Sequence, residues 1–177
     1  MERHGEGRAH TRMVLGLGSN LGDRAENIAA ALRALGEGPA LRVIAASPLY
    51  ETPPAGGPPQ GDYLNGAVLV EASVSPREVL SRCLAVERSL GRVRPDPVRW
   101  GPRTIDIDVL WIEGLALREP DLIVPHPRLV ERPFAVRPLV EVAPFATDPV
   151  SGALYRDVAA ARVPLHRVGD PPRVAAR

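Results

Sequence analysis

The sequence predicts an α+β fold in which helices pack on an antiparallel sheet. Short apolar runs of strand length alternate with two segments whose apolar residues recur at helical spacing. These elements follow the order β-α-β-β-α-β, which is typical of the ferredoxin-like, split βαβ arrangement with its helices on one face of the sheet. We therefore expect a ferredoxin-like βαββαβ core followed by a C-terminal extension.

The first predicted strand and helix lie within residues 14–36. An apolar run over residues 14–17 leads into a Gly-Ser-Asn turn, which predicts a strand that opens into a loop. Asp23, followed three residues later by Glu26, resembles a capping box, and Gly36 is typical of a helix end. Between these signals the apolar positions share one helical face, formed by Ile28, Ala31, Leu32 and Leu35.

The second and third strands are predicted over residues 41–50 and 63–72, where apolar and β-branched residues are frequent. They flank residues 51–61, which contain four prolines and three glycines. Such a segment forms neither a helix nor a strand. We expect a long irregular loop there.

The second helix and the fourth strand complete the predicted core. Ser75 and Glu78, with a proline directly after the serine, form a strong helix start. The apolar face of this helix consists of Val79, Cys83, Val86 and Leu90. After a second irregular segment over residues 92–102, residues 104–112 predict a strand.

Length and composition predict one domain. The chain has 177 residues, with 45% apolar and 24% charged side chains, which is ordinary globular composition. We expect the domain to span residues 13–158, between a disordered tail over residues 1–12 and a frayed tail over residues 159–177. A further helix is predicted near residues 134–142, within a proline-rich C-terminal part.

Composition also excludes several classes of protein. The formal net charge is only +1, so no general polyanion-binding surface is expected. The single cysteine, Cys83, excludes an internal disulfide and a thiolate metal cage. No run approaches the ~18–20 apolar residues of a membrane span, and the start of the chain lacks the apolar segment of a secretory signal. We expect a cytoplasmic monomer that binds neither nucleic acid nor membrane.

All 22 basic residues are arginine. A P-loop needs a lysine that reaches the nucleotide phosphates, so this solution is excluded, as are Schiff-base chemistry and a kinase-type strand lysine. A lysine-free protein that handles phosphate must use guanidinium groups, which bind phosphate through two parallel hydrogen bonds. A coding bias towards arginine would produce the same composition.

Two aspartates on the fourth predicted strand are candidates for a metal site. Side chains alternate along a strand, so Asp106 and Asp108 share one face while the neighbouring isoleucines enter the core. Two carboxylates at this spacing suit Mg²⁺ that is bound jointly with substrate phosphates. An ordinary strand with a solvated face has the same pattern.

The segment that precedes this strand is strongly basic. Residues 88–103 contain five arginines and a single acid, Asp96. A polyphosphate bound together with Mg²⁺ would relieve the repulsion among the arginines and between the two aspartates. The alternatives are a solvated loop and a patch that binds RNA.

Three further features have both a functional and a structural interpretation. The turn after the first strand, around Gly18, could approach a ligand or simply join a strand to a helix. Tyr63 and Asn65 share one face of the third strand and could stack on and hydrogen-bond a heterocycle, or belong to the sheet's packing. His126 and Trp100 could equally be structural residues of their loops.

Five sequence motifs occur in order along the chain. They are Gly-Leu-Gly-Ser-Asn-Leu-Gly-Asp (16–23), Ser-Pro-Leu-Tyr-Glu-Thr-Pro-Pro (47–54), Asp-Tyr-Leu-Asn (62–65), Arg-Trp-Gly-Pro-Arg-Thr-Ile-Asp-Ile-Asp-Val-Leu (99–110) and Val-Pro-His-Pro-Arg (124–128). The most specific motif is the fourth, which contains both aspartates. With these motifs the chain resembles, over about residues 13–150, the 6-hydroxymethyl-7,8-dihydropterin pyrophosphokinase family of folate biosynthesis.

The resemblance implies a role for each candidate residue. Asp106 and Asp108 would hold two Mg²⁺ ions that bridge the phosphates of ATP, and Arg92 and Arg103 would meet the transferred pyrophosphoryl group. The residues implied to bind or enclose the nucleotide are Glu87, Arg94, Trp100, Val109, His126 and Arg132. The residues implied to bind the pterin, by stacking of the two aromatics and through polar or backbone groups, are Gly18, Thr52, Pro53, Pro54, Ala55, Tyr63, Asn65 and Phe134.

The chain departs from the family pattern at three points. Ala55 is smaller than the residue that some members carry there, so we expect this pterin contact to involve the backbone. Pro95 and Pro97 stiffen a loop that the family uses as a moving lid, and a lysine that some members place in this lid is absent. These departures concern the rate of lid closure.

The reaction implied by the resemblance is attack of the pterin hydroxyl on the β-phosphorus of ATP with release of AMP. Two other functions remain open at this point. A ferredoxin-like RNA-binding module could use the arginine segment, although only 4% of residues are aromatic. A metal-dependent nucleotidyltransferase also uses paired aspartates, but it would release pyrophosphate.

Overall fold

The computed structural model describes residues 10–95 and 98–170. Its three α-helices and eight strands are, in chain order, β1 (Thr11–Ser19), α1 (Arg24–Leu35), β2 (Leu41–Ala46), β3 (Leu49–Thr52), β4 (Tyr63–Ala72), α2 (Pro76–Ser89), β5 (Asp106–Ile112), β6 (Leu117–Glu119), β7 (Leu122–Val124), α3 (Pro133–Val142) and β8 (His166–Gly169). Short 3₁₀ turns occupy Leu129–Glu131, Tyr155–Asp157 and Ala159–Arg162.

The main sheet is antiparallel throughout and has the order β5-β1-β4-β3-β8, with β2 also paired to β4. A separate two-stranded ribbon joins β6 and β7. The predicted α+β class, with an antiparallel sheet on which helices pack, is therefore confirmed.

The predicted strand over residues 41–50 is two strands in the structure. β2 and β3 follow one another along the same edge of β4, and the break lies at Ser47 and Pro48. Proline has no N–H to donate to the ladder. At the break the Ser47 hydroxyl instead accepts a hydrogen bond from the Ala67 N–H at 2.9 Å, which keeps the β4 backbone satisfied.

The sheet buries both of its faces. Met13, Leu15 and Leu17 of β1 point towards α1 and α2, whereas Val14 points towards α3. The two helices of the predicted core, α1 and α2, share one face, whereas α3, from the predicted C-terminal part, covers the opposite face. Apolar positions occur on both faces of the central strands, and each apolar face needs a covering layer.

Both helix starts match their sequence signals. The Asp23 carboxylate accepts a hydrogen bond from the Glu26 N–H at 3.0 Å. At α2 the Ser75 hydroxyl accepts from the Glu78 N–H at 3.3 Å, and the Glu78 carboxylate accepts from the Ser75 N–H at 2.9 Å. These reciprocal bonds satisfy N–H groups that have no partner within a helix.

The structure has regular elements inside both of the predicted tails. β1 begins at Thr11, within the expected N-terminal tail, and residues 159–170 contain a 3₁₀ turn and strand β8. β8 pairs with the otherwise exposed edge of β3, and Ala161 is buried against α3. Residues 1–9 and 171–177 of these tails, and the predicted stiffening at Pro97, lie outside the described residues. In the described part of the chain, no helix is long and apolar enough to cross a membrane.

Candidate active site

The candidate site lies on the face of the sheet that α3 covers, where β1, β4 and β5 meet. The register pairs Gly18 of β1 with Asn65 of β4 on one side and with Asp106 of β5 on the other. A Cβ atom at Gly18 would lie 2.9 Å from the Asn65 Oδ1 atom, and one at Gly16 would lie 3.0 Å from the Leu110 side chain. Glycine at both positions leaves bare backbone as the floor of the pocket.

One half of the pocket is neutral. Thr52 and Asn65 are both 7% exposed, and the Asn65 amide donates a hydrogen bond of 2.7 Å to the Thr52 hydroxyl. The Tyr63 hydroxyl donates to the Gly101 carbonyl at 3.4 Å, which joins β4 to the segment before β5. Phe134, at the start of α3, also lines the pocket. These aromatic and amide groups can hold a flat, polar-edged ring.

The other half of the pocket is charged, and Asp106 lies at its centre. One carboxylate oxygen of Asp106 accepts a hydrogen bond from Arg92, and the other accepts from the Arg103 Nη1 atom at 2.7 Å. The Arg92 guanidinium is almost fully buried, whereas the Asp106 and Arg103 side chains are about one fifth exposed. The Asp106 charge is thus compensated by two guanidinium groups.

Asp108 lies one strand repeat beyond Asp106 in a different environment. Among the described residues its carboxylate accepts no hydrogen bond and forms no ion pair within 4 Å. Burial and the neighbouring Asp106 charge raise the pKa of Asp108 to about 7, against the opposing effect of Arg132. This carboxylate would gain the most from a bound cation.

Glu87 of α2 lies beneath the charged half and is fully buried. One of its oxygens accepts from the Arg92 Nη1 atom at 2.6 Å and from the Ile107 N–H at 2.8 Å. Its other oxygen accepts from the Arg94 Nη2 atom at 2.6 Å. Glu87 thus fixes two of the predicted phosphate-binding arginines and the backbone between the aspartates.

A second group of basic side chains borders the pocket on the α3 side. Burial and the nearby Arg132 charge lower the pKa of His126, whose Nδ1 atom accepts a hydrogen bond from the Arg128 N–H at 3.2 Å. Burial and the neighbouring Arg128 also lower the pKa of Arg132. The Arg132 Nε atom is buried without a hydrogen-bond partner among the described residues, which suits an incoming anion.

Most of the predicted site residues line this one pocket: Gly18, Thr52, Pro53, Pro54, Ala55, Tyr63, Asn65, Trp100, Arg103, Asp106, Asp108, Arg132 and Phe134. The remaining five are Glu87, Arg92, Arg94, Val109 and His126. Glu87 and Arg92 are buried beneath Asp106, Arg94 is partly exposed and paired with Glu87, and His126 lies near Arg132. Val109 differs from the expectation, because its side chain is buried in the core on the opposite, α1 and α2 side of the sheet.

Eight pocket residues were not predicted: Gly16, Leu17, Gly56, Gln60, Gly66, Leu110, Arg128 and Ala135. The two-residue spacing of Gly16 and Gly18 on one strand was a usable signal, because it places both on one face. Arg128 follows the predicted His126 by two residues. Gln60 had no distinguishing local pattern, since its importance depends on contacts with distant loops.

The donor set of the charged half fits Mg²⁺ better than a metal that needs an all-protein cage. Within residues 10–95 and 98–170, no group of three or more His, Cys, Asp or Glu side chains could hold a metal ion. Among the described residues that line the pocket, Asp106 and Asp108 are the two that offer hard carboxylate oxygens. Mg²⁺ is commonly bound by one or two carboxylates together with substrate phosphates.

Comparison with known proteins agrees with this geometry. The family model of 7,8-dihydro-6-hydroxymethylpterin-pyrophosphokinase matches residues 14–144, which is more than half of the chain. The chain belongs to this family. The matched region includes every residue predicted for the site and ends before the 3₁₀ turns at Tyr155–Asp157 and Ala159–Arg162 and before β8.

Curated relatives carry the same family name. The 2-amino-4-hydroxy-6-hydroxymethyldihydropteridine pyrophosphokinase of Methylorubrum extorquens is 47% identical over 134 residues, covering 76% of this chain and 84% of the relative. The protein of the same name from Bacillus subtilis is 42% identical over 128 residues, covering 72% and 75%.

Solved structures support the fold. A structure of the Plasmodium falciparum HPPK-DHPS has a TM-score of 0.67 at 17% identity and covers 87% of this chain. This chain spans only 46% of that longer protein. The likeness concerns the fold of the shared part alone.

Proposed function

We propose that this protein is an ATP-dependent diphosphotransferase of folate biosynthesis. It transfers the pyrophosphoryl group of ATP to the hydroxymethyl group of 6-hydroxymethyl-7,8-dihydropterin and releases AMP. The observation that carries the proposal is the position of Asp106 and Asp108, in a chain of this family, at the boundary between a neutral slot and a cluster of arginines. A flat heterocycle fits the first side and a polyphosphate the second.

The neutral half is assigned to the pterin. Tyr63 and Phe134 stack on its ring, and Asn65 and Thr52 recognise its polar edge. The backbone of residues 53–55 and of Gly18 completes the slot. The assignment is supported by the burial of the Asn65–Thr52 pair, because a buried amide that matches its ligand discriminates strongly against rings without the complementary groups.

The charged half is assigned to the triphosphate of ATP. Asp106 and Asp108 would hold two Mg²⁺ ions, whose positive charge offsets that of the phosphate oxygens during transfer. When a triphosphate binds, Arg92 and Arg103 exchange their contact with Asp106 for the β- and γ-phosphates. Guanidinium binds phosphate as readily as carboxylate, so the exchange preserves charge pairing.

The nucleotide end of the site is assigned to residues around this centre. Arg94, His126 and Arg132 contact the phosphates and nucleoside, and Trp100 closes over them. Glu87 contributes from beneath, by holding Arg92 and Arg94 in place. The Nε atom of Arg132 is buried without a hydrogen-bond partner in the part of the chain that the structure describes, which supports the assignment of an anion at this position.

In the chemical step the pterin hydroxyl oxygen attacks the β-phosphorus of ATP. As the bond between the pterin oxygen and the β-phosphorus forms, the bond between the β-phosphorus and the α,β-bridging oxygen breaks. AMP leaves with this oxygen, and the hydroxyl proton passes to solvent. Arg92 and Arg103 hold the β- and γ-groups as one unit. Positioning and charge stabilisation supply most of the rate, as in other phosphoryl transfers.

We also infer that β1, β2, β4 and β5 with α1 and α2 form a ferredoxin-like core, to which β3, α3 and the C-terminal extension are added. The order β5-β1-β4-β2 within the sheet supports this inference. Helices cover both faces of the sheet, which argues against an RNA-binding module that stacks bases on an open sheet. A cytoplasmic monomer remains part of the proposal.

The identity of the released nucleotide tests the function. The protein is incubated with ATP, Mg²⁺ and the reduced hydroxymethylpterin, and the products are separated by chromatography. We expect AMP and the pterin diphosphate in equal amounts. ADP as the sole product would mean attack at the γ-phosphorus, and free pyrophosphate would mean attack at the α-phosphorus; either result contradicts the proposal.

A further inference from the structure

Two carboxamide side chains join the loops on either side of the pocket. Asn20 follows β1, and Gln60 lies in the loop over residues 53–62, between β3 and β4. Gln60 lines the pocket, and Asn20 is only 8% exposed. Neither side chain belongs to the groups assigned above to the pterin or to the nucleotide.

Asn20 holds the backbone of Arg103 from two sides. Its N–H donates to the Arg103 carbonyl at 3.0 Å, and its side-chain oxygen accepts from the Arg103 N–H at 2.7 Å. The Asn20 amide nitrogen donates to the Gln60 side-chain oxygen at 2.8 Å and to the Gly61 carbonyl at 3.2 Å. The Asn20 side chain therefore connects the Arg103 backbone directly to Gln60.

Gln60 continues this connection to Trp100. Its amide nitrogen donates to the Trp100 carbonyl at 2.8 Å and to the Gly56 carbonyl at 3.2 Å. Trp100 has φ 58, in the left-handed region that a bulky residue rarely adopts without support. The loop over residues 53–62 also contacts the segment before β5 directly, because a Cβ atom at Gly57 would lie 2.3 Å from the Trp100 carbonyl oxygen.

We propose that Gln60 is a positioning residue that couples the binding of the two substrates. This inference deepens the proposed function and rests on it. The loop over residues 53–62 contributes its first three residues to the pterin slot, whereas Trp100 and Arg103 belong to the nucleotide side. Because Gln60 joins the two, the substrate that orders one loop lowers the conformational cost of ordering the other.

Binding measurements with and without the other substrate test the coupling. Titration calorimetry gives the affinity for the hydroxymethylpterin in the presence of Mg²⁺, with and without saturating α,β-methylene-ATP, which cannot transfer its pyrophosphoryl group. In the wild type we expect the nucleotide to increase pterin affinity by about tenfold, within the usual range of coupling between sites. The coupling factor is the ratio of the pterin affinities measured with and without the nucleotide. In Gln60→Ala we expect this factor to fall more than threefold, while the affinity for each substrate alone changes by a smaller factor.

A second variant keeps the size of the side chain. Gln60→Glu retains an acceptor for Asn20 but replaces the donor that reaches the Trp100 and Gly56 carbonyls. We expect the same loss of coupling. The matched control is Asn27→Ala, because the Asn27 amide donates to the Ser19 hydroxyl at 3.2 Å and the Leu21 carbonyl at 2.8 Å and joins neither of the two loops. This control keeps the wild-type coupling.

Three results would overturn the inference. The first is a wild type without coupling, and the second is a coupling factor in Gln60→Ala within threefold of the wild-type value. The third is an equal loss in Asn27→Ala, which would indicate general loosening of the fold. Failure of the proposed function gives a different result from failure of the coupling, because the wild type would then form no AMP in the product assay.

Discussion

The two halves of the pocket lie on one sheet but satisfy their polar groups in opposite ways. In the neutral half, Asn65 and Thr52 are held by strands and bond to each other, so the slot exists before any ligand binds. In the charged half, Asp106 is satisfied by Arg92 and Arg103 from the preceding loop. The neutral half is preformed for its ligand, whereas the charged half is self-paired and must exchange partners.

The same contrast recurs between the two aspartates. Asp106 has two arginine partners, and Asp108 has no hydrogen-bond partner among the described residues although both lie on one face of β5. Asp106 therefore contributes to the stability of the folded protein. Burial and Asp106 raise the pKa of Asp108 to about 7. Above that pH the ionised Asp108 carboxylate lowers the stability of the folded protein.

The largest expected effect concerns activity, where the two aspartates should behave alike. Asp106→Ala and Asp108→Ala each remove a carboxylate that the proposal assigns to Mg²⁺. The bound metal ion contributes several kcal/mol of transition-state charge stabilisation. We expect turnover to fall by at least about 10³-fold in each variant. Glu113→Ala, an exposed carboxylate directly after β5, is the control and retains activity. Turnover within fivefold of wild type in either aspartate variant would contradict the metal assignment.

The second prediction compares two arginines of the charged half. Arg103 contacts Asp106 at the centre, whereas Arg94 is 41% exposed and attached to Glu87. We expect Arg103→Ala to lower kcat by about 10²–10³-fold, as for other donors aimed at transition-state charge. Arg94→Ala should instead raise the Kd for ATP by about tenfold. Steady-state kinetics and calorimetry that gave the reverse pattern would contradict this division.

The third prediction separates the two aspartates by stability. The folded pKa of Asp108 lies above its unfolded value of about 3.9, so the native state binds more protons and stability falls as pH rises from about 4 to about 7. In metal-free buffer, Asp108→Asn should therefore raise the free energy of unfolding by roughly 1–3 kcal/mol at pH 8 and change it little at pH 4. Asp106→Asn should lower it at pH 8, because Arg92 and Arg103 lose a partner.

Thermal unfolding over this pH range measures both effects. A gain of roughly 1–3 kcal/mol corresponds to several degrees in Tm for a chain of this size. Equal shifts of the same sign in both asparagine variants at pH 8 would show that the two carboxylates have the same environment. That result would remove the contrast between Asp106 and Asp108.

Local sequence signals predicted the parts of the fold and site that depend on near neighbours. The two-residue period of β5 places Asp106 and Asp108 on one face, and this prediction is confirmed by their common position in the pocket. The helix starts at Asp23 and Ser75 needed only residues within one turn. The same reasoning applies to Tyr63 and Asn65, which are two residues apart on β4.

What the sequence did not reveal depends on distant partners. Pairing of β8 with β3 and the position of α3 on the second face of the sheet follow from contacts across the fold. The burial of Arg92 between Glu87 and Asp106 also has no local signature. A basic run predicts phosphate-binding arginines, but only the tertiary structure distinguishes the arginine that lines the pocket from the one beneath it.

The smallest expected effect concerns the neutral half, which is preformed and should tolerate single changes better than the charged half. Stacking contributes about 0.5–1.5 kcal/mol per aromatic ring beyond area burial, or roughly three- to tenfold in affinity. Tyr63→Leu and Phe134→Leu should each weaken pterin binding by this factor and leave ATP affinity unchanged, because neither ring carries charge. Calorimetry with each substrate alone measures both constants, with Phe145→Leu, whose ring packs against Trp111 at the surface, as the control. Unchanged pterin affinity in both variants would remove these rings from the slot, and a comparable loss of ATP affinity would show that the two halves do not act as separate sites.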